Sequence, residues 1–337
     1  MTKYLRVSVV VTAYNRREYI KRAVDSILRQ TLNRNYFEII VVKNYEDKDV
    51  DNYLSRIGVI MVKSKDNDTF GSCLANGIIR SQGDIICFLD DDDEFVESKL
   101  EKVYHNFADN NLSFFHNAMI PVDSEGNEIK NHWIWKMATE KDVLIENPSK
   151  YGEFKTLFRY GPDFGASSIC ISRALALKLV HHLDGMTSAS DNLMFYYACT
   201  EKFSIKISSE RLTRYRIHSF NSSRPASNSF QDYLKRYRKN AFEAFDSYRM
   251  ICSIVEGYPI SEFANYRLSS YKFAYYSTVS RENGFPSFLE LLKFLKCDYY
   301  LRIPRVVVYG LLYFPLRFST KVRQMFVFLI WKIKYLT

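Results

Sequence analysis

With 337 residues, 47% of them hydrophobic and 25% charged, the chain has apolar content for one large core and a smaller region, which excludes a disordered chain. Its formal charge is +9, and the excess is concentrated at the end, where Arg302, Arg305, Arg317, Lys321, Arg323, Lys332 and Lys334 stand without an acidic residue between 301 and 337. The six cysteines are scattered and form no CxxC pair, so they read as buried thiols of a reducing compartment rather than as a disulfide framework or zinc ligands.

The N-terminal stretch MTKYLRVSVVVTAYN lacks a small-residue cleavage site and reads as a first strand, not a signal peptide. Val7 to Thr12 is β-branched and continuous, and Arg17 to Arg29 then places Ile20, Ala23, Val24, Ile27 and Leu28 at helical spacing. Further strands are predicted over Phe37–Val42, Val59–Val62 and Asp84–Leu89, with a helix over Leu74–Arg80. Strands alternating with helices build an open, mostly parallel sheet, whose ligands lie beyond the carboxyl ends of the strands. Thr12–Asn15, Lys43–Tyr45 and Asp90–Asp93 all fall there.

Beyond Glu97 the pattern predicts a helix over Lys99–Asn110 and a strand over Leu112–His116. The polar stretch HSFNSSRPASNSF, His218 to Phe230, reads as a loop or hinge, and Gln231–Tyr300 has helical spacing. Val306–Phe314 and Met325–Trp331 are apolar but shorter than the roughly 20 residues a membrane-spanning helix needs. Flanking cations and aromatics favour an amphipathic anchor lying on the cytoplasmic face of a membrane. A helix packed on the domain is the alternative, and nucleic acid is disfavoured because the charges are interleaved with aliphatic runs.

The most informative stretch is Phe88–Phe95, FLDDDDEF, which sets four aspartates and a glutamate directly behind the apolar run IICFL. Like charges at the end of a buried strand repel in a region of reduced dielectric unless a cation binds there. Residues two apart in an extended segment face the same way, so Asp90 and Asp92 share one side, with Asp91 and Asp93 on the other. A small set of hard oxygen ligands suits Mg²⁺ or Mn²⁺.

VSVVVTAYNRREYIKRAVDSILRQT, FEIIVV and GDIICFLDDDDEF followed by KLE together resemble a family 2 glycosyltransferase of the inverting GT-A type. The resemblance implies a GT-A catalytic domain over about residues 1–225, with a donor half to about 110 and an acceptor half after it. A helical extension over 226–300 and the basic segment 301–337 would follow. It also implies transfer of a sugar from a nucleotide-sugar donor to a hydroxyl of a glycan or lipid-linked acceptor. By this analogy Asp92 is the principal metal ligand, Asp90 lies near the ribose and metal, and Asp93 supports the acceptor side. Thr12, Tyr14, Asn15 and Asn44 would seat the nucleotide. The base would be Asp191 in SASDNLMFYYA, with Asp184 and Asp163 in reserve. A helix N-terminus there would keep it ionised. FGASSICIS resembles the acceptor-lining loop and supplies Gly165, Ala166 and Ser167. LTRYRIHSFNSS resembles the late motif in which Arg216 approaches the diphosphate and His218 serves as donor contact or third metal ligand.

Two departures stand out: most relatives end the second strand with two aspartates where this chain has Lys43 and Asn44, and the usual Arg-Asn-x-Gly reads Leu74-Ala75-Asn76-Gly77. The first puts uridine recognition in question, because lysine cannot accept the hydrogen bond a nucleobase offers. Two rival readings are a non-catalytic sugar-nucleotide or glycan-binding protein on the same fold and a sugar nucleotidyltransferase. The second needs a glycine-rich phosphate loop after the first strand, and TAYNRREY has no glycine.

Overall fold

The computed structural model describes residues 4–14, 16–65, 67–218, 221 and 229–278, together with 322, 325 and 328; for Arg159 it describes the backbone only. Two compact units are present, Met1–Gly152 with Leu157–His218, and Glu153–Thr156 with Ser219–Thr337. The division thus falls at the start of the polar stretch read as a hinge.

The first unit begins with β1 (Val7–Ala13), α1 (Ile20–Leu28), β2 (Phe37–Lys43), α2 (Lys48–Arg56), β3 (Ile60–Lys63), α3 (Phe70–Arg80) and β4 (Ile85–Asp90). There follow β5 (Glu94–Phe95), α4 (Lys99–Asn110), β6 (Leu112–Val122), β7 (Val143–Ile145), β8 (Ile169–Ser172), α5 (Arg173–Leu183), α6 (Ser190–Ala198) and β9 (Ser204–Arg216). These strands form one sheet in the order β3-β2-β1-β4-β8-β6-β9-β5, with β7 on β9. The run from β3 to β4 is parallel throughout, as the alternating pattern predicts. Beyond β4 the sheet is mixed, because β8 is antiparallel to both β4 and β6 while β6 and β9 are parallel.

Val7, Val9, Val11, Ile39, Val41, Ile85, Cys87 and Leu89 pack with Ile20, Ala23, Val24 and Ile27 of α1 in one apolar cluster. Both β1 and β2 are buried at every position, which explains their unbroken hydrophobic runs. Cys73, Cys87, Cys170 and Cys199 are buried free thiols. Asp47 accepts hydrogen bonds from the Asp49 and Val50 amides at 3.1 and 3.0 Å and so starts α2.

The second unit holds α7 (Phe230–Ile254) and α8 (Ser261–Tyr276), which pack through stacked Tyr248 and Tyr271 and through Phe242 and Phe245 against Tyr275. Among the described residues no helix is long and apolar enough to cross a membrane. The basic segment 301–337, apart from Val322, Met325 and Phe328, lies outside them.

Within Leu74–Gly77 the glycine, which this chain keeps, has a packing role. A Cβ on Gly77 would lie 2.3 Å from Val10 Cγ1 and 3.2 Å from Val42 Cγ2, so the missing side chain is what lets α3 sit against β1 and β2. Gly77→Ala should therefore destabilise the fold by about 1–3 kcal/mol through overpacking, outweighing the ~1 kcal/mol that alanine gains in a helix. Urea unfolding checks this; a midpoint at or above that of the parent protein would contradict it.

Candidate active site

Three strand ends meet where the parallel half of the sheet stops, since Ala13 pairs with Lys43 and Thr12 with Asp90 across adjacent strands. Thr12 Oγ1 donates to Asp90 Oδ1 at 3.2 Å. Tyr14 is 39% exposed just past β1; Asn15, expected beside it, lies outside the described residues. At the end of β2, Lys43 is buried and ion-pairs with Asp51 of α2 at 2.7 Å, and Asn44 follows it. The lysine charge is thus neutralised from a neighbouring helix.

The acidic stretch is arranged differently from the two-and-two alternation expected of an extended chain. β4 ends at Asp90, and the chain turns there, with the Asp93 amide donating to Asp90 O at 3.1 Å. The turn brings Asp90, Asp92 and Asp93 together, so that one carboxylate oxygen of each lies within 4.8 Å of the others. Asp91 is the one left out. Asp93, expected on the acceptor side, is buried within this cluster and accepts the Arg216 amide at 2.9 Å. Burial, then the charges of Asp92 and Asp91, pushes the Asp90 carboxyl up to about 8. Burial likewise raises Asp91 to about 6 against the opposing pull of Arg16.

Arg16, which sequence reasoning passed over, supplies the nearest cation. Its Nε donates to Asp91 Oδ1 at 3.2 Å, its Nη2 bonds to the same carboxylate, and its Nη1 pairs with Asp92 Oδ2 at 2.8 Å. Burial works against that charge, but the bond to Asp91 and the fields of Asp92, Asp91 and Asp90 outweigh it and raise the guanidinium pKa. The signal was available in TAYNRREY, two arginines just past β1, opposite a stretch already judged to need positive charge.

His218 Nε2 stands 2.9 Å from Asp92 Oδ2 and 3.2 Å from Arg16 Nη1, with its ring 5.3 Å from that of Tyr19. One ring nitrogen cannot both donate to the carboxylate and accept from the guanidinium; an ionised carboxylate only accepts, so the shorter contact assigns Nε2–H as donor to Asp92. Arg216 does not take the expected place on a phosphate. It is fully buried, with Nε donating to Asp92 O at 2.8 Å, Nη1 to Asp123 O and Ser124 O at 2.9 Å, and Nη2 paired with Glu94. Its fork is committed to fastening the acidic turn.

On the other side of the site, Asp191 lies in the first turn of α6, where a negative charge is favoured. Its Oδ2 accepts the Gly165 amide at 2.9 Å and its Oδ1 the Asn192 amide at 2.9 Å. Burial raises its carboxyl to about 6 despite these bonds. Gly165 has φ +83°, a backbone conformation that side chains disfavour. Two residues on, Ser167 Oγ accepts the Asp90 amide at 3.0 Å. Ser167 O is held by Lys99 Nζ at 2.5 Å and by Thr213 Oγ1 at 3.0 Å. The segment Gly165-Ala166-Ser167 therefore joins Asp191 to the acidic cluster. Gly165, Ala166 and Ser167 are all buried. Of the reserves, Asp163 is buried and accepts from Asn192, and Asp184 accepts from Ser72 on α3.

The glycosyl transferase family 2 model matches residues 8–173. A glycosyltransferase of Rickettsia bellii is 31% identical over 129 residues, 37% of this chain and 18% of that protein. The poly(ribitol-phosphate) beta-N-acetylglucosaminyltransferase TarP of Staphylococcus aureus is 26% identical over 151 residues, 43% of this chain and 46% of TarP. The chain thus spans between 18% and 51% of the first curated relatives it matches. S. aureus TarS 1–349, solved in complex with UDP-GlcNAc, superposes with a TM-score of 0.57 at 17% identity, over 90% of this chain and 83% of that one. The shared GT-A arrangement, a parallel half-sheet continued by a mixed one, agrees with the family match. Over residues 8–173, the chain carries a glycosyl transferase family 2 domain.

Proposed function

We propose that the protein transfers a sugar from a nucleoside-diphosphate donor to a hydroxyl of a glycan or lipid-linked acceptor, by metal-dependent single displacement with inversion. The observation that carries this reading is the Gly165–Ser167 segment, which holds a candidate base at one end and a candidate metal cluster at the other.

The donor set fits a divalent cation. Asp90, Asp92 and Asp93 offer hard oxygen atoms in a cluster that suits Mg²⁺ or Mn²⁺, with His218 beside Asp92. A bound ion would stabilise negative charge on the leaving diphosphate. Thr12, Tyr14 and Asn44 border the donor side, and the UDP-GlcNAc complex of TarS makes uridine nucleotides the first to test. On the acceptor side Asp191 takes the hydroxyl proton as that oxygen attacks the anomeric carbon. The bond from that carbon to the diphosphate breaks, and its electron pair leaves with the phosphate oxygen.

Only ionised Asp191 accepts a proton, so kcat/KM should rise with pH through about 6 and then level off. Its raised pKa means that ionisation at pH 7 weakens the fold: the associated stability is present below the unfolded value of about 3.9 and is lost as pH rises through 6. Asp191→Asn removes the ionisation but turns an NH2 group toward one of the two bonded backbone amides, so it should fold with a modestly lowered melting temperature while kcat falls by about 10²–10⁴-fold. A folded variant with parental turnover would remove Asp191 from the base role.

The basic, aromatic sequence of 301–337 supports a place on a cytoplasmic membrane surface. The full chain should float with anionic vesicles at low salt, and a version with the seven basic residues of that segment changed to Gln should not. Equal flotation of the two would contradict this assignment.

A further inference from the structure

Arg16 is bonded to two carboxylates of unequal standing. Asp91, its side chain 3% exposed, lies outside the triad of Asp90, Asp92 and Asp93 and is gripped by both Nε and Nη2. Asp92 belongs to the triad and is reached by Nη1 alone. A two-nitrogen grip fixes position and direction, whereas a single contact is readily exchanged. The guanidinium, with 22% of its side chain exposed, thus stands on Asp92 as a positive charge supplied by the protein itself. The other arginine of this region, Arg216, has Glu94 as its carboxylate partner and cannot take that place.

We infer that Arg16 is a resident competitor for the cation site: it neutralises Asp92 in the metal-free protein and yields that carboxylate to a divalent ion while remaining anchored on Asp91. The inference rests on the proposed metal-dependent donor site and adds a positioning residue to it. The exchange has two consequences. Metal alone binds weakly, because it must displace a bonded cation and then sit beside it. An anionic nucleoside diphosphate offers the displaced Nη1 edge a new partner, so metal and nucleotide each strengthen binding of the other, and the coupling is reciprocal.

The test measures Mn²⁺ affinity by the loss of its free electron-paramagnetic-resonance signal, with and without UDP or GDP, for the parent protein and Arg16→Gln. Glutamine removes the charge and retains a hydrogen bond donor. The expected result is about ten-fold tighter Mn²⁺ binding by the variant without nucleotide, from loss of one nearby like charge, and a smaller enhancement when nucleotide is added. Unchanged or weaker Mn²⁺ binding by a folded Arg16→Gln protein overturns the inference while leaving the donor site intact. No Mn²⁺ binding by either protein, even with nucleotide, overturns the proposed metal centre and this inference with it. Should Arg16→Gln fail to fold, nitrogen-15 NMR of the arginine side chains in the parent, assigned with Arg16→Lys, decides. Saturating Mg²⁺ should shift the Arg16 Nη signals more than Nε; signals that do not move count against the exchange.

Discussion

Repulsion among the carboxylates of Asp90 to Glu94 is the constraint around which the first unit is organised. These groups sit at the end of a strand whose preceding residues are completely buried, where water cannot screen them. The fold answers with two arginines from opposite ends of the unit. Arg16, just past the first strand, covers Asp91 and Asp92, and Arg216, at the end of the last, ties the turn through its amide, its Nε and its pair with Glu94. Even so, burial first, and then the charges of Asp92 and Asp91, pushes the Asp90 carboxyl up to about 8. A divalent ion bound at Asp90, Asp92 and Asp93, as proposed, would add positive charge there.

The same turn explains how the two halves of the unit communicate. Lys99 is buried at the start of α4, with its Nζ bonded to Ser167 O and to Thr213 Oγ1. Burial lowers its pKa, so its charge is tolerated only because these oxygens and the nearby Asp93 surround it. Through Ser167 it steadies the segment that reaches Asp90 on one side and Asp191 on the other. His116, held neutral by burial with a pKa near 4, bonds to Phe164 O at 3.0 Å and fixes the residue before Gly165. Asp191 and the acidic cluster, supplied by distant parts of the chain, are thereby positioned by a few hydrogen bonds through one short segment.

The parallel half of the sheet was legible because strands buried on both faces leave unbroken runs, as in VSVVVT and IICFL, and α1 and α4 because their apolar residues recur at helical spacing. The Lys48–Arg56 helix escaped notice, since only Val50 and Leu54 are buried in it. The strand predicted to stop at His116 runs to Val122, through Pro121, because its pairing with Ser204–Arg216 is fixed by tertiary contact rather than by local pattern. At the candidate site, motif and charge pointed to Asp90 and Asp92, which the structure brings into one cluster with Asp93, and to Asp191. Alternation misplaced Asp93 because the strand ends one residue before the acidic turn begins. Arg216 was read as a phosphate ligand because a sequence does not show that a guanidinium will be fully buried. Arg16 was missed for the converse reason: the need for a cation was evident, but its source lies 75 residues away along the chain.

Nucleotide-dependent stabilisation of the full chain tests the donor site most directly, because a ligand that binds only the folded state raises the melting temperature. The measurement is a thermal-shift panel of UDP-, GDP-, CDP- and dTDP-nucleotides, each with and without Mn²⁺. The proposed site predicts a shift for one base that depends on the metal, and that base identifies what Asn44 reads in place of the usual aspartate. A folded protein that shows no shift with any nucleotide, with or without Mn²⁺, would contradict it.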